Sequence, residues 1–195
     1  MMTRFVFDID KAVAAAAYVT RKWKPARISI FVLLKTMYAG EREALAKWHR
    51  PITGDEFCSM PKGIVLSRTY NLIKAQVMRG NSDMVKWSKH FSPRDGNFVQ
   101  LLSEPDYDYL SDREREALDH ADAFIRKLIA KHGSIAGLLH EIWPEWTNPE
   151  EKGKRSIPLP PEDVLEQLIE DEDEADRVGR EIASVQNAKA ALQRA

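Results

Sequence analysis

The amino-acid sequence predicts a mainly α-helical domain of the α+β class, with a small antiparallel β-sheet or hairpin and a long C-terminal helix. Three observations lead to this prediction. Apolar residues recur at three- and four-residue spacings through most of the chain, which is typical of amphipathic helices. Two short segments alternate polar and apolar side chains next to turn-forming residues, which indicates strands. The acidic C-terminal part begins with Pro161, a residue that suits the first position of a helix.

Two helices are predicted before the first turn-rich segment. Asp10 is a candidate N-cap for a helix that reaches about Trp23, and Pro25 ends it. The next helix, over residues 26–48, has a broad apolar face, which predicts a central position in the core. Gly40 lies inside this segment and could divide it into two helices.

The middle of the chain predicts two strands and a helix between them. Turn chemistry at residues 50–55 precedes the first strand, residues 56–60. A helix is predicted over residues 66–79, and a turn at residues 95–97 leads into the second strand, residues 98–102. The two strands could pair with each other, and helices must then cover one face because an isolated pair is not stable in water.

Two further helices are predicted before the C-terminal part. Ser111 and Glu114 have the spacing of a capping box, in which both side chains bond free backbone N–H groups at a helix start. This helix ends at Gly133. A shorter helix, residues 135–143, ends at Pro144.

The predicted organisation has three parts: a globular domain at residues 1–147, a linker at residues 148–160 and an acidic helix at residues 161–195. We expect the helix to pack on its own chain up to about Ile169. Apolar residues become sparser beyond Asp173, and Gly179 costs about 1 kcal/mol relative to alanine. The distal half is therefore expected to be mobile, or ordered only by a partner.

Charge is divided unequally along the chain, although the net charge is only −1. From Glu150 onward there are 12 acidic and 7 basic residues, whereas the preceding residues hold 18 acidic and 22 basic ones. A surplus of four positive charges on a body of this size is a weak signal for nucleic-acid binding. A weakly charged surface is the simpler interpretation, and a DNA-binding autorepressor remains the alternative.

The sequence contains no complete catalytic or metal-binding motif. It lacks the nucleophile elbow, the P-loop and the dinucleotide-binding glycine pattern. His140 and Glu141 begin like a zinc-protease motif, but Pro144 stands where the second histidine should be. Cys58 is interpreted as a small half-buried residue, and an enzyme built on Cys58 or His140 is the alternative. We therefore expect no catalytic residue, no metal, no cofactor and no enzymatic activity.

The compartment can also be predicted. No stretch approaches the roughly 20 apolar residues of a membrane span, and residues 1–10 lack the apolar run of a signal peptide. Cys58 is the single cysteine, so no intrachain disulfide can form. We expect a cytoplasmic protein without a membrane partner.

Four stretches in the same order resemble the Panacea domain of SocA-like antitoxins. The most specific is the block from His49 to Phe57, which reads HRPITGDEF, followed by Met60-Pro61-Lys62-Gly63 and Tyr70. The others are the following: the helix segment FVLLKTMY at residues 31–38, the segment DYDYLS at residues 106–111, and Leu138-Leu139-His140 followed by Trp146. Gly63-Ile64 stands where the family usually has Gly-Pro, so this turn is expected to differ in shape.

The resemblance implies a protein that binds and neutralises a cognate toxin, usually encoded next to it. Some members of the family also present the toxin to a cytoplasmic protease. No catalytic residues come with the family. A homo-oligomer is possible, whereas nucleic acid is an unexpected partner.

A candidate partner-binding surface lies in the most specific block, because loops carry function more often than core positions do. Its residues are Arg50, Thr53, Asp55, Glu56 and Lys62, with Trp146 added as a potential anchor for a partner. The alternatives are structural: Thr53 and Asp55 could instead cap the turn, and Trp146 could be a core anchor.

Overall fold

The computed structural model describes residues 5–78 and 80–192, and within them it contains eight α-helices and five short strands. The helices are α1 (Ile9–Thr20), α2 (Ile30–Trp48), α3 (Ser67–Ile73), α4 (Ser82–His90), α5 (Asp112–His132), α6 (Ala136–Ile142), α7 (Pro161–Glu166) and α8 (Glu172–Leu192). The strands are β1 (Arg27–Ser29), β2 (Phe57–Met60), β3 (Gly63–Leu66), β4 (Phe98–Gln100) and β5 (Ile157–Leu159). The predicted fold class, helical with small antiparallel sheets and a long C-terminal helix, is confirmed.

Helix α2 is the central element and packs along α5. Its apolar face is buried as predicted, with Leu33 and Tyr38 completely inaccessible to solvent. The helix continues through Gly40, so the predicted division into two helices does not occur. A Cβ atom at Gly40 would lie 2.9 Å from Leu118 Cδ2 of α5, so the glycine allows the two helices to approach closely.

The first helix is capped two residues earlier than predicted. The Asp8 carboxylate, not that of Asp10, accepts hydrogen bonds from the Asp10 and Lys11 N–H groups at the start of α1. Residues 26–29, predicted as the beginning of the second helix, instead form β1 and its approach. Strand β1 pairs antiparallel with β4, which the periodicity of either segment alone could not indicate.

The two predicted strands lie in different sheets and do not pair with each other. Strand β2 is the middle of a sheet ordered β3-β2-β5, with both neighbours antiparallel, while β4 pairs only with β1. A two-residue turn at Pro61 and Lys62 joins β2 to β3, and closing so short a loop costs little chain entropy. The predicted helix over 66–79 is shortened to α3 at both ends. Leu66 belongs to β3, and beyond Ile73 the backbone leaves the helical conformation, with Ala75 at a φ of 52°. Residue 79 lies outside the described residues.

The capping box at the start of α5 is confirmed. The Ser111 Oγ accepts from Glu114 N, and the Glu114 carboxylate accepts from Ser111 N at 2.8 Å. The helix ends at Gly133, whose N–H donates to Ile129 O. Helix α6 then follows close to its predicted position.

The C-terminal part forms two helices rather than the single predicted one. Helix α7 ends at Glu166, and α8 begins after Asp171, whose carboxylate accepts from the Glu174 N–H. Strand β5, at residues 157–159, lies within the segment predicted as a linker and adds to the sheet of the body. An aspartate N-cap within the acidic segment explains why a new helix starts there.

Helix α8 packs on its own chain well beyond Ile169. Val178, Ile182 and Gln186 are each at most 3% exposed, and Val6 N donates to Gln186 Oε1 at 2.9 Å. Packing on a partner or mobility was expected for this half of the helix, and the structure instead buries its apolar face internally. Leu192 is 79% exposed, and residues 193–195 lie outside the described residues.

Candidate functional site

A cleft of about 790 Å³ opens between the start of α2, the β2–β3 turn, α3 and the connection from α5 to α6. Its floor is apolar and includes Phe31, Val32, Val65 and Ile129. Four of the 20 lining residues are basic and none is acidic; the four are Lys35, Lys62, Lys74 and Arg94. We call this feature the cationic cleft. Clefts of this volume are typical of ligand-binding sites in proteins.

Lys35 is the most unusual of the four cations because it lies in the core. Only 1% of the residue is exposed, and its Nζ donates a hydrogen bond of 2.5 Å to Ile64 O in β3. The Nζ also lies 5.3 Å from the centre of the Phe31 ring. Burial lowers the pKa of Lys35 from 10.5 to about 7, because a charged ammonium loses its hydration there.

The β2–β3 turn can approach Lys35 because residue 63 is a glycine. Gly63 has a φ of 98°, a conformation that other residues rarely adopt. A Cβ atom there would lie 3.0 Å from Lys35 Nζ and 3.5 Å from His140 Nε2. The glycine of the family-like turn therefore brings the hairpin into contact with both α2 and α6.

Trp146 contacts both the tip of this hairpin and helix α6. Its ring stacks on His140 with centroids 3.5 Å apart and an interplanar angle of 5°, and its Nε1 donates to Met60 O at 2.9 Å. Burial, and secondly the charge of Lys35, lower the pKa of His140. Because both effects oppose protonation, the imidazole is neutral at pH 7 and does not add to the charge of the cleft.

Two buried carboxylates hold the chain that leads into the hairpin. Glu41 of α2 accepts hydrogen bonds from Ile52 N at 2.7 Å and from Thr53 N at 2.8 Å, and it also accepts from the Thr53 hydroxyl. Asp55 accepts from Arg68 N and Thr69 N, each at 2.8 Å, at the start of α3. Burial raises the pKa of Glu41 to about 7, although the hydrogen bonds from Thr53 and Ile52 act in the opposite direction.

The structure separates the predicted site residues into two groups. Thr53 and Asp55 are 2% and 0% exposed and bond within the chain, as the structural alternative describes. The other predicted residues reach the surface or come close to it; these are Arg50, Glu56 and Lys62, which are exposed, and Trp146, which is half-buried. Trp146 bonds Met60 at the end of β2, next to the turn that contains Lys62, whereas Glu56 lines a separate groove of about 360 Å³.

Sequence reasoning missed the other three cations of the cleft and Glu41. A signal existed for two of these four residues. Lys35 and Glu41 occupy positions on the apolar face of α2, four residues after Phe31 and Met37 respectively. A charged residue on such a face is unusual and indicates a paired or functional group. Arg94 carries no such signal, because it lies in a loop that only the fold brings to the cleft.

The family comparison covers this part of the molecule. Residues 33–147 match the family described as antitoxin SocA-like, Panacea domain. The chain belongs to this family. The Panacea domain thus runs from the first turn of α2 to just beyond Trp146 and contains the β2–β3 hairpin and all four cations of the cleft. No match to the chain was found among curated proteins or solved structures.

Other features of this Panacea-domain protein bear on alternative functions. Burial raises the pKa of the half-buried Cys58 thiol, which disfavours the reactive thiolate. Within residues 5–78 and 80–192, no group of three or more potential ligands could hold a metal ion. None of the described helices combines the length and apolar composition that crossing a bilayer requires.

Proposed function

We propose that this protein is an antitoxin that neutralises a partner toxin by binding it directly, without catalysing a reaction. The observation that carries the proposal is the match of residues 33–147 to the Panacea domain of SocA-like antitoxins. We propose further that the partner toxin is encoded next to this protein and that the complex forms in the cytoplasm. The raised pKa of Cys58 argues against this thiol as a nucleophile.

The binding surface that we propose includes the exposed residues of the family-like block. Arg50 is exposed near the start of the block and Lys62 in the β2–β3 turn that follows it, and no ion pair joins either of them to another described residue. Thr53 and Asp55 contribute indirectly, because their buried hydrogen bonds hold the loop in position. A rigid loop with free side chains loses less conformational entropy on binding than a flexible one.

Co-expression tests this function. The neighbouring gene is expressed from an inducible promoter with and without this protein, and growth is followed. We expect the neighbouring product to arrest growth and this protein to restore it, with both proteins co-purifying as a complex. A harmless neighbour, or a toxic one that this protein neither binds nor neutralises, would refute the proposal.

The binding surface has its own test. Arg50→Ala together with Lys62→Ala should weaken co-purification with the toxin. The matched control is Arg113→Ala, an exposed cation at the start of α5 that lies outside the block. Equal binding by the double variant and the wild type would exclude this surface.

Delivery of the toxin to a cytoplasmic protease is a further step that we propose for this complex. It predicts a shorter half-life of the toxin in cells that contain this protein. A half-life that is unchanged or longer would restrict the function to neutralisation by binding.

A further inference from the structure

The four cations of the cationic cleft come from four different parts of the fold. Lys35 lies in α2, Lys62 in the β2–β3 turn, Lys74 directly after α3, and Arg94 in the loop before β4. Among the described residues, no ion pair joins any of these four to an aspartate or glutamate, whereas other basic residues of the body, such as Lys11, Lys22 and Arg42, do form ion pairs. The fold therefore gathers positive charge around one opening and leaves it without internal compensation.

The charge available to a ligand comes from Lys62, Lys74 and Arg94. Lys35 is only 1% exposed and its Nζ bonds a backbone carbonyl oxygen, so it forms part of the inner wall and does not present its charge to a ligand. Lys74 Nζ lies 4.8 Å from the centre of the Tyr70 ring, and a ring face can attract a cation without neutralising it. Lys62 and Arg94 are exposed at the rim.

The apolar floor limits what can occupy the cleft. Phe31 and Val32 are only half-buried although they belong to the central helix, and Ile129 is half-buried at the end of α5. Covering these side chains is favourable by about 25 cal/mol for each Å² of apolar surface removed from water. A suitable ligand therefore combines apolar groups for the floor with negative charge for the rim.

We propose that the cationic cleft is the docking site for an extended segment of the partner toxin that carries acidic side chains next to aliphatic or aromatic ones. This inference rests on the proposed function and specifies the chemistry of the partner. A cleft of about 790 Å³ admits several side chains but not a folded domain, so the toxin inserts a loop or a chain terminus. The complementary charges accelerate association, and the apolar side chains provide most of the affinity.

Two other anionic occupants fit the cleft less well. Nucleic acid presents its phosphates on a hydrophilic backbone and would leave the apolar floor uncovered. A second copy of this chain could offer the acidic surface of α7 and α8, but the apolar face of α8 is already buried in its own chain at Val178 and Ile182. Both occupants are outcomes of the test below.

The test uses a phage-displayed library of random short peptides, selected on the full-length wild-type protein. We expect the recovered peptides to be enriched in Asp and Glu beside Leu, Ile, Phe or Tyr. A synthetic peptide of the recovered consensus should bind about tenfold or more weakly to the Lys62→Glu, Arg94→Glu double variant. Its affinity should also fall as salt increases, because exposed charges are screened.

Two further variants separate the contributions of charge and shape. Arg113→Glu with Lys127→Glu is the matched control, since both residues are exposed on α5 and neither lines the cleft. This control should leave the affinity for the peptide unchanged. Ser134→Trp should abolish binding without changing charge, because Ser134 is exposed and lines the cleft. Circular dichroism establishes that each variant is folded.

Several outcomes would overturn the inference. The first is a peptide consensus without acidic residues, and the second is a Lys62→Glu, Arg94→Glu variant that binds the peptide as tightly as the wild type does. The third is self-association of the wild type that this variant abolishes. The fourth is binding of operator DNA that depends on the same two residues.

Co-expression with the toxin distinguishes this inference from the proposed function. If the toxin is neutralised equally by the wild type, the charge-reversal variant and Ser134→Trp, the protein is an antitoxin and the docking inference is wrong. If peptides bind as expected but the neighbouring product is never neutralised, the docking site stands and the proposed function fails.

Discussion

Replacing Lys35 with methionine removes a buried ammonium group and keeps an unbranched side chain of similar length. Lys35 is 1% exposed and bonds Ile64 O, so its charge is held where water cannot solvate it well. Its pKa is about 7 in the folded chain, against 10.5 as the ordinary value. The variant therefore tests how much the buried charge of Lys35 lowers the free energy of unfolding.

The sign of the effect follows from the protons bound in each state. Between pH 7 and pH 10.5 the unfolded chain keeps the Lys35 proton while the folded chain releases it, so the contribution of Lys35 to the free energy of unfolding rises with pH. Below pH 7 the folded wild type carries the full penalty of the buried charge. At about 1.4 kcal/mol for each pKa unit, the penalty is at most about 5 kcal/mol.

Methionine carries no such penalty at any pH. The stability advantage of Lys35→Met should therefore be largest below pH 7 and should shrink by up to about 1.4 kcal/mol per pH unit above it. The lost hydrogen bond to Ile64 O subtracts about 1 kcal/mol at every pH. His140 faces the same position, but its pKa is lowered by burial, so it does not gain a proton in the range above pH 7 where the difference is expected to shrink.

Urea denaturation followed by tryptophan fluorescence between pH 6 and about pH 10 measures this difference. Lys74→Met is the matched control, because Lys74 is half-buried beside the same cleft. Its stability should follow that of the wild type in parallel, since Lys35 is retained. Parallel curves for Lys35→Met and the wild type would refute the reasoning, because a group with equal pKa values in both states cannot produce a pH-dependent difference.

Two substitutions in α2 and their controls should change stability through other contacts. Glu41→Gln places an amide donor among three donors and should lower the free energy of unfolding by about 1–3 kcal/mol. Its control, Glu43→Gln, weakens only surface ion pairs and should lower it by less than about 1 kcal/mol. Urea denaturation measures both changes. An equal cost for both would contradict this account. Gly40→Val forces atoms against Leu118 and should lower the free energy of unfolding by about 1–3 kcal/mol. Gly137→Ala meets no neighbour within 4 Å and should raise it by up to about 1 kcal/mol. A Gly40→Val protein as stable as the wild type would show that the close approach of α2 and α5 is not required.

The candidate site could be predicted only in part from the sequence. Lys62 and Trp146 belong to recognisable family-like stretches, and the fold bonds Trp146 to Met60, two residues before Lys62. Thr53 and Asp55 belong to the same block but are buried, because their side chains bond the backbone and hydroxyl groups that the turn and α3 would otherwise leave unpaired. A sequence motif does not distinguish a residue that holds a loop from one that the loop presents.

Some features of this protein follow from the sequence by itself because they depend only on interactions among residues that are close in the sequence. The capping box of Ser111 and Glu114, the end of α5 at Gly133 and the apolar face of α2 are of this kind. Each depends on hydrogen bonds or side-chain spacing within one or two helical turns. The family-like stretches are local in the same sense.

Other features were decided only by the tertiary structure. Strand β2 pairs with β3 and with β5, which lies about 100 residues further along the chain, rather than with the other predicted strand. The cationic cleft likewise combines Lys35, Lys62 and Arg94 from distant segments. Strand partners and the lining of a cleft depend on which surfaces the packed core leaves adjacent, and the free energy of that packing belongs to the whole chain rather than to any one segment.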